Sequence, residues 1–174
     1  VRMEIPMNFT MEFFEEQILS LAKANNCSDS ARVRVTLYRN EGGNYLPLQR
    51  SVSYLINCTT LENKLYSIDA KSYEVDLYKD FYIAKQLLST LKTTNKILNV
   101  TASIYADENG LDNCLLLNES KNVAEALQGN VFMVLNGKLI TPPLSEGCLN
   151  GVMRKQILNL ASKIEGLEVV EAEI

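Results

Sequence analysis

The sequence predicts a mixed α/β (α+β) fold, and three observations point that way. Stretches with apolar residues at helical spacing recur along the chain, short runs of alternating or clustered apolar residues lie between them, and Asn, Gly and Pro punctuate the boundaries. Residues 10–25 place Phe13, Phe14, Ile18, Leu21 and Ala22 at helical spacing, with Thr10 set to cap and Glu12 in the first turn. After a polar stretch, Val33, Val35 and Leu37 alternate with Arg32, Arg34 and Thr36, which predicts a strand ended by the loop Asn40-Glu41-Gly42-Gly43-Asn44. Residues 51–58 predict a second strand, 73–77 a third, and 81–91 a short connection with helical character.

The second half opens with Lys92-Thr93-Thr94-Asn95 and then a helix to about Asn109, with Ile97, Leu98, Thr101, Ile104 and Tyr105 on one side and Gly110 closing it. Apolar runs follow at 114–117 and 131–135. The second of these, with the turn Asn136-Gly137 and a returning strand at 138–141, reads as a hairpin. Pro142-Pro143 stops that strand, residues 145–150 form a loop, and a last helix runs from Gly151 to about Glu165 with Ile157, Leu158, Ala161 and Ile164 inward. Val169-Val170 opens another strand. The chain starts without Met in an extended segment and stops at a strand, so it is expected to be a fragment of a longer protein.

Composition narrows the chemistry. With 174 residues and 47% apolar residues, the chain can bury a real core as one large domain or two small ones. A net charge of −4 gives no broad basic surface for nucleic acid or an anionic membrane. No apolar run reaches the roughly 20 residues that span a bilayer, and no signal-peptide pattern opens the chain, so a cytoplasmic location is the expectation. Five Asn-x-Ser/Thr triplets, at Asn8, Asn26, Asn57, Asn99 and Asn118, would suit a glycosylated secreted protein, but an Asn-rich chain produces them by chance. The four cysteines, Cys27, Cys58, Cys114 and Cys148, lack metal-ligand spacing and read as free buried thiols; no metal is expected. Histidine is absent, which removes the Ser-His and Cys-His nucleophile pairs. Any chemistry has to come from Lys, Tyr, carboxylates or a cofactor.

Four segments carry the functional signal. They are Leu91-Lys92-Thr93-Thr94-Asn95-Lys96, then Cys114 to Glu119, then Val123-Ala124-Glu125 with Gly129-Asn130-Val131-Phe132, and finally Thr141-Pro142-Pro143 followed by Gly151-Val152-Met153-Arg154. In order and separation they resemble the class IV pyridoxal-phosphate-dependent aminotransferases (fold type IV) over about residues 91–161. The resemblance implies two domains, with residues 1–80 the remainder of a small α/β domain, 81–91 an interdomain connection, and 92–174 an incomplete large β-rich domain that binds pyridoxal 5'-phosphate. It also implies a homodimer and an amino-acid-like small-molecule substrate.

By the same likeness Lys92 carries the cofactor covalently and moves the proton at the substrate's α-carbon. An amine attacks an aldehyde only when neutral, so a lysine there, with a reference pKa of about 10.4, needs desolvation or nearby positive charge. Lys92, between Leu91 and a new helix, is expected to be half-buried. Taken alone any lysine is most often a solvated surface group, and the motif is what reverses that reading. Glu125 is implied to meet the pyridine nitrogen and keep it protonated; its apolar neighbours Val123, Ala124, Ala126 and Leu127 make an unpartnered carboxylate costly. The loop into the last helix offers the amides of Val152 and Met153, and the positive end of the helix dipole, to the phosphate. Gly151 allows close backbone approach, Leu149 is implied to pack on the ring, and Asn95 and Asn130 to support the site.

Some features depart from the family. Asn44 stands where lyase-like members often have Arg, and the small-domain arginine that grips the phosphate lies, in the family, upstream of the residues present here. The run Asn150-Gly151-Val152-Met153-Arg154 favours a 4-amino-4-deoxychorismate lyase, which eliminates pyruvate to leave 4-aminobenzoate for folate biosynthesis, because transaminases have Thr in place of Met153. The alternatives are a branched-chain or D-amino-acid aminotransferase, and a non-catalytic fragment or binding module of the same fold.

Overall fold

Thr10 opens the first helix, α1 (Met11–Ala24), by accepting a hydrogen bond from the Phe13 N–H at 3.1 Å, a side-chain cap that satisfies one of the donors a helix start leaves open. The computed structural model describes residues 3–62 and 70–174 and divides into two units, Val1–Asp69 and Ala70–Ile174. In the first unit β1 (Ala31–Arg39) pairs antiparallel with β2 (Val52–Thr60). Asn40 and Ser51 close the loop between them, Asn40 Nδ2 donating to Ser51 Oγ at 3.0 Å. Phe9, Phe13 and Phe14 meet Tyr54 of β2 with ring centroids 5.0 to 5.6 Å apart, and the edge-to-face geometry is the favoured one for aromatic pairs. That cluster fastens α1 to the sheet. The four cysteines are free, as expected, but Cys58 is only half-buried, and its Sγ lies 2.8 Å from that of Cys27.

The second unit holds two three-stranded sheets. One has the order β3 (Val75–Ile83), β4 (Asn113–Asn118), β5 (Val123–Ala126), with β3 and β4 parallel and β4 and β5 antiparallel. Parallel neighbours need a crossover, and α2 (Ile97–Glu108) supplies it. Leu98, Ala102, Tyr105 and Ala106 of α2 pack on Tyr78, Cys114 and Leu116 of the sheet, forming the unit's core. The other sheet has the order β6 (Met133–Leu135), β7 (Lys138–Thr141), β8 (Glu168–Glu171), and α3 (Val152–Ala161) links the parallel pair β7 and β8. Asn136 and Gly137 both take positive φ, 50° and 76°, as the two-residue turn of a tight hairpin requires. Buried Arg154 fastens α3 by donating to the Pro142 carbonyl at 2.8 Å and pairing with Glu171.

Several sequence expectations need correction. β3 starts at Val75 and runs on to Ile83, so residues 81–83 are strand and the helical part of the following stretch is one 3-10 turn, Leu87–Thr90. β3 is hydrogen-bonded to β4, so its residues lie with the second unit. On α2 the buried stripe is Leu98, Ala102, Tyr105 and Ala106; Ile97 and Ile104 point outward. Two alanines let the helix sit close to the sheet, which sets its rotation more strongly than the isoleucines do. α3 ends at Ala161, four residues early, and Gly166 with φ 79° turns the chain toward β8, leaving Ile164 exposed. β5 has no counterpart in the predicted elements.

Candidate active site

β5 is four residues long and buries Val123, Ala124 and Glu125, because it pairs with the inner strand β4 and puts Glu125 opposite Leu116. Glu125 is 6% exposed. Its Oε2 accepts the Leu149 N–H at 2.8 Å. Burial pushes the Glu125 carboxyl above its ordinary range, and the Leu149 N–H together with the charges of Lys96 and Lys92 pulls it back down. A carboxylate so placed gains most from a cationic partner.

The Leu149 peptide is bonded at both ends. Its carbonyl accepts from Asn130 Nδ2 at 2.8 Å while its N–H reaches Glu125. One residue on, the Asn150 N–H donates to the carbonyl of buried Thr90 at 3.0 Å. Thr90, the segment 125–130 and residues 149–151 therefore meet around one turn, with Lys92 two residues along the chain from Thr90. Gly151 is needed there for space, since a Cβ at that position would lie 2.3 Å from Asn130 Oδ1, closer than side chains come.

Gly151 stands before α3 with no side-chain cap. The amides of Val152 and Met153 lie in the first turn, where backbone donors have no intrahelical acceptor, and the dipole there favours an anion. Both side chains are exposed. Lys92 lies in the stretch between the 3-10 turn and α2, where exposure alternates: Leu91 and Thr93 are half-buried, Lys92 and Thr94 exposed. The half-buried position expected of Lys92 is thus not observed, since an extended chain turns neighbouring side chains to opposite faces. Its charge nonetheless acts on Glu125. Asn95 is exposed and has no side-chain hydrogen-bond partner among the described residues.

A cavity of about 500 Å³ in the first unit, lined by Lys23, Asn26, Cys27 and Thr60 among others, includes none of these residues. The sequence reading passed over Thr90, Lys85, Asn122 and Glu146, which brace the segments just described. Asn118, which lies in the family-like segment Cys114 to Glu119 but was given no role there, is fully buried and donates to Glu146. The one available signal was a run of Asn and Glu residues inside apolar surroundings.

The donor set suits pyridoxal phosphate. An amine, a buried carboxylate with a raised pKa, a glycine cradle that a Cβ would fill and an uncapped helix start correspond to the aldehyde, ring nitrogen and phosphate of that group. The family model for amino-transferase class IV matches residues 1–174, and the chain belongs to that family. A Methanocaldococcus jannaschii protein with the provisional name branched-chain-amino-acid aminotransferase is 29% identical over 177 residues, covering 97% of this chain and 57% of the relative. A branched-chain amino acid aminotransferase from Thermobaculum terrenum, solved in its PLP form, superposes with a TM-score of 0.84 at 26% identity, over 98% of this chain and 56% of that one. A Legionella pneumophila structure, provisionally a 4-amino-4-deoxychorismate lyase, gives 0.85 at 19% identity over 99% of this chain and 62% of that one, a likeness of fold. The chain thus spans rather more than half the length of these relatives. Membership in this family and the PLP-form neighbour imply pyridoxal phosphate as the cofactor. Among the described residues no helix is long and apolar enough to cross a membrane.

Proposed function

We propose that the second unit supplies the cofactor side of a class IV pyridoxal-phosphate enzyme acting at the α-carbon of an amino-acid-like substrate, with the first unit the remainder of the small domain. The observation that carries this is the Leu149 turn, which draws Glu125, Asn130 and the start of α3 together and adjoins the stretch leading to Lys92. When bound, pyridoxal phosphate supplies an electron sink that stabilises charge developing at the α-carbon. Lys92 is the amine that would hold it and move the α-proton. Glu125, kept from water, would hold the ring nitrogen and keep its proton, and Leu149 would pack on the ring. The Val152 and Met153 amides would hold the phosphate, Gly151 would give them access, and Asn130 supports the turn through the Leu149 carbonyl; exposed Asn95 makes no bond to it. The whole protein is a homodimer in this reading, as its family likeness implies, and a cytoplasmic location is the accompanying expectation.

For the reaction we retain two readings. Asn150-Gly151-Val152-Met153-Arg154 favours 4-amino-4-deoxychorismate lyase, with Met153 exposed at the helix start. The likeness to the Methanocaldococcus jannaschii and Thermobaculum terrenum proteins favours a branched-chain aminotransferase. The full-length protein assayed with aminodeoxychorismate, branched-chain amino acids and D-amino acids separates them: pyruvate released from the first substrate alone supports the lyase, and amino transfer from leucine or valine overturns it. Turnover of none of these by a protein that holds the cofactor would favour the binding-module alternative.

A further inference from the structure

Glu146 is a charged residue 3% exposed in a 3-10 turn (Leu144–Glu146), outside the cofactor contacts proposed above. Burying a carboxylate is costly unless its oxygens are satisfied, and here they are. Oε1 pairs with Lys85 Nζ at 2.8 Å. Oε2 accepts from Asn118 Nδ2 at 2.6 Å and from Asn122 Nδ2 at 3.0 Å. Asn118 Nδ2 also reaches the Glu146 carbonyl at 3.2 Å, and Asn118 Oδ1 accepts the backbone N–H groups of Ser120 and Asn122. Next to it, Gly147 has φ 89°, and a Cβ there would lie 2.9 Å from both the Ala84 carbonyl oxygen and Ile83 Cγ2. The 146–147 turn is therefore pressed against residues 83–85 as well as bonded to them.

The partners come from three places that matter. Lys85 begins the stretch that leads to Lys92, Asn118 and Asn122 bracket the turn into β5 and Glu125, and Glu146 precedes the Leu149–Met153 turn. We propose that Glu146 is a positioning residue: its carboxylate, held by Lys85, Asn118 and Asn122, fixes the spacing of the segments that carry Lys92, Glu125 and the 149–153 turn. Glu146 touches neither cofactor nor substrate. It acts through the chain on either side of each partner, and its link to the cofactor rests on the function proposed above.

The test uses the full-length protein with Glu146→Gln, Lys85→Met and Lys85→Arg. Two quantities are read: pyridoxal phosphate affinity from the visible absorbance band, and backbone hydrogen exchange in the protein without added cofactor. Glu146→Gln and Lys85→Met are expected to weaken cofactor binding at least about tenfold, the double variant no more than the worse single one, and Lys85→Arg to retain wild-type affinity. Exchange is expected to speed up together at residues 88–93, 123–126 and 148–152. Wild-type affinity in both disrupting variants, failure of Lys85→Arg to rescue, or faster exchange confined to residues 144–147 would overturn the role of Glu146. If the wild-type protein takes up no cofactor, the proposed function fails instead, and the exchange pattern alone upholds or overturns the positioning.

Discussion

Two buried carboxylates in the same unit are tuned in opposite directions by what surrounds them. Lys85 holds the Glu146 carboxyl below the ordinary range, against the effect of burial, with help from Asn122 and Asn118. That carboxylate stabilises the fold above its unfolded pKa, and the contribution is lost as pH falls through the lower folded value. Lys85, raised chiefly by the same bond, loses its share only as pH rises through its folded value. For Glu125 burial dominates and the folded pKa lies above the unfolded one, so its ionisation lowers stability as pH rises from the unfolded to the folded value. Denaturant titrations should therefore show Glu146→Gln with a flatter acid loss of stability than wild type. Glu125→Gln, which keeps an acceptor for the Leu149 N–H, should be at least as stable as wild type at pH 7 while losing cofactor affinity; a clear loss of stability there would contradict the assignment of burial as the controlling effect. Gly151→Ala should cost about 1–3 kcal/mol by overpacking, and Asn130→Ala on the same background should recover part of it, because Asn130 Oδ1 is what the new methyl meets.

At the scale of elements, what the sequence disclosed depended on how much of each signal was local. α1 declared itself through Thr10 and a consistent apolar face, and the β6–β7 hairpin through Asn136-Gly137, since caps and tight turns are written in adjacent residues. β5 stayed hidden because Val-Ala-Glu-Ala is short and carries a charge; it is a strand because it pairs with β4, and the Leu149 amide satisfies its buried carboxylate. The face of α2 was misread because Ile97 and Ile104 outweigh alanines on any apolarity count, whereas close approach to Tyr78, Cys114 and Leu116 selects Ala102 and Ala106. Ala102→Leu should accordingly destabilise by about 1–3 kcal/mol, while Ile104→Ser should stay within about 0.5 kcal/mol. Thermal unfolding of both variants checks the rotation, and the reverse order of effects would refute it.

For the whole molecule, the proposed site residues Lys92, Glu125, Asn130 and Leu149 to Met153 were readable as a family pattern, but the bonds that brace the segments carrying them were not. The links run through main-chain groups of Thr90, Leu149 and Asn150 and through the side chains of Lys85, Asn118 and Glu146, and neither kind leaves a motif. The two units match relatives of roughly twice the length, and the cofactor assignment is common to every reaction considered for them. It is tested most directly by reducing the full-length protein with borohydride in the presence of pyridoxal phosphate and mapping the adduct by peptide mass spectrometry. The reduced cofactor is expected on Lys92 alone, with no adduct at that peptide in Lys92→Ala. Labelling spread over surface lysines, or absent from Lys92, would contradict it.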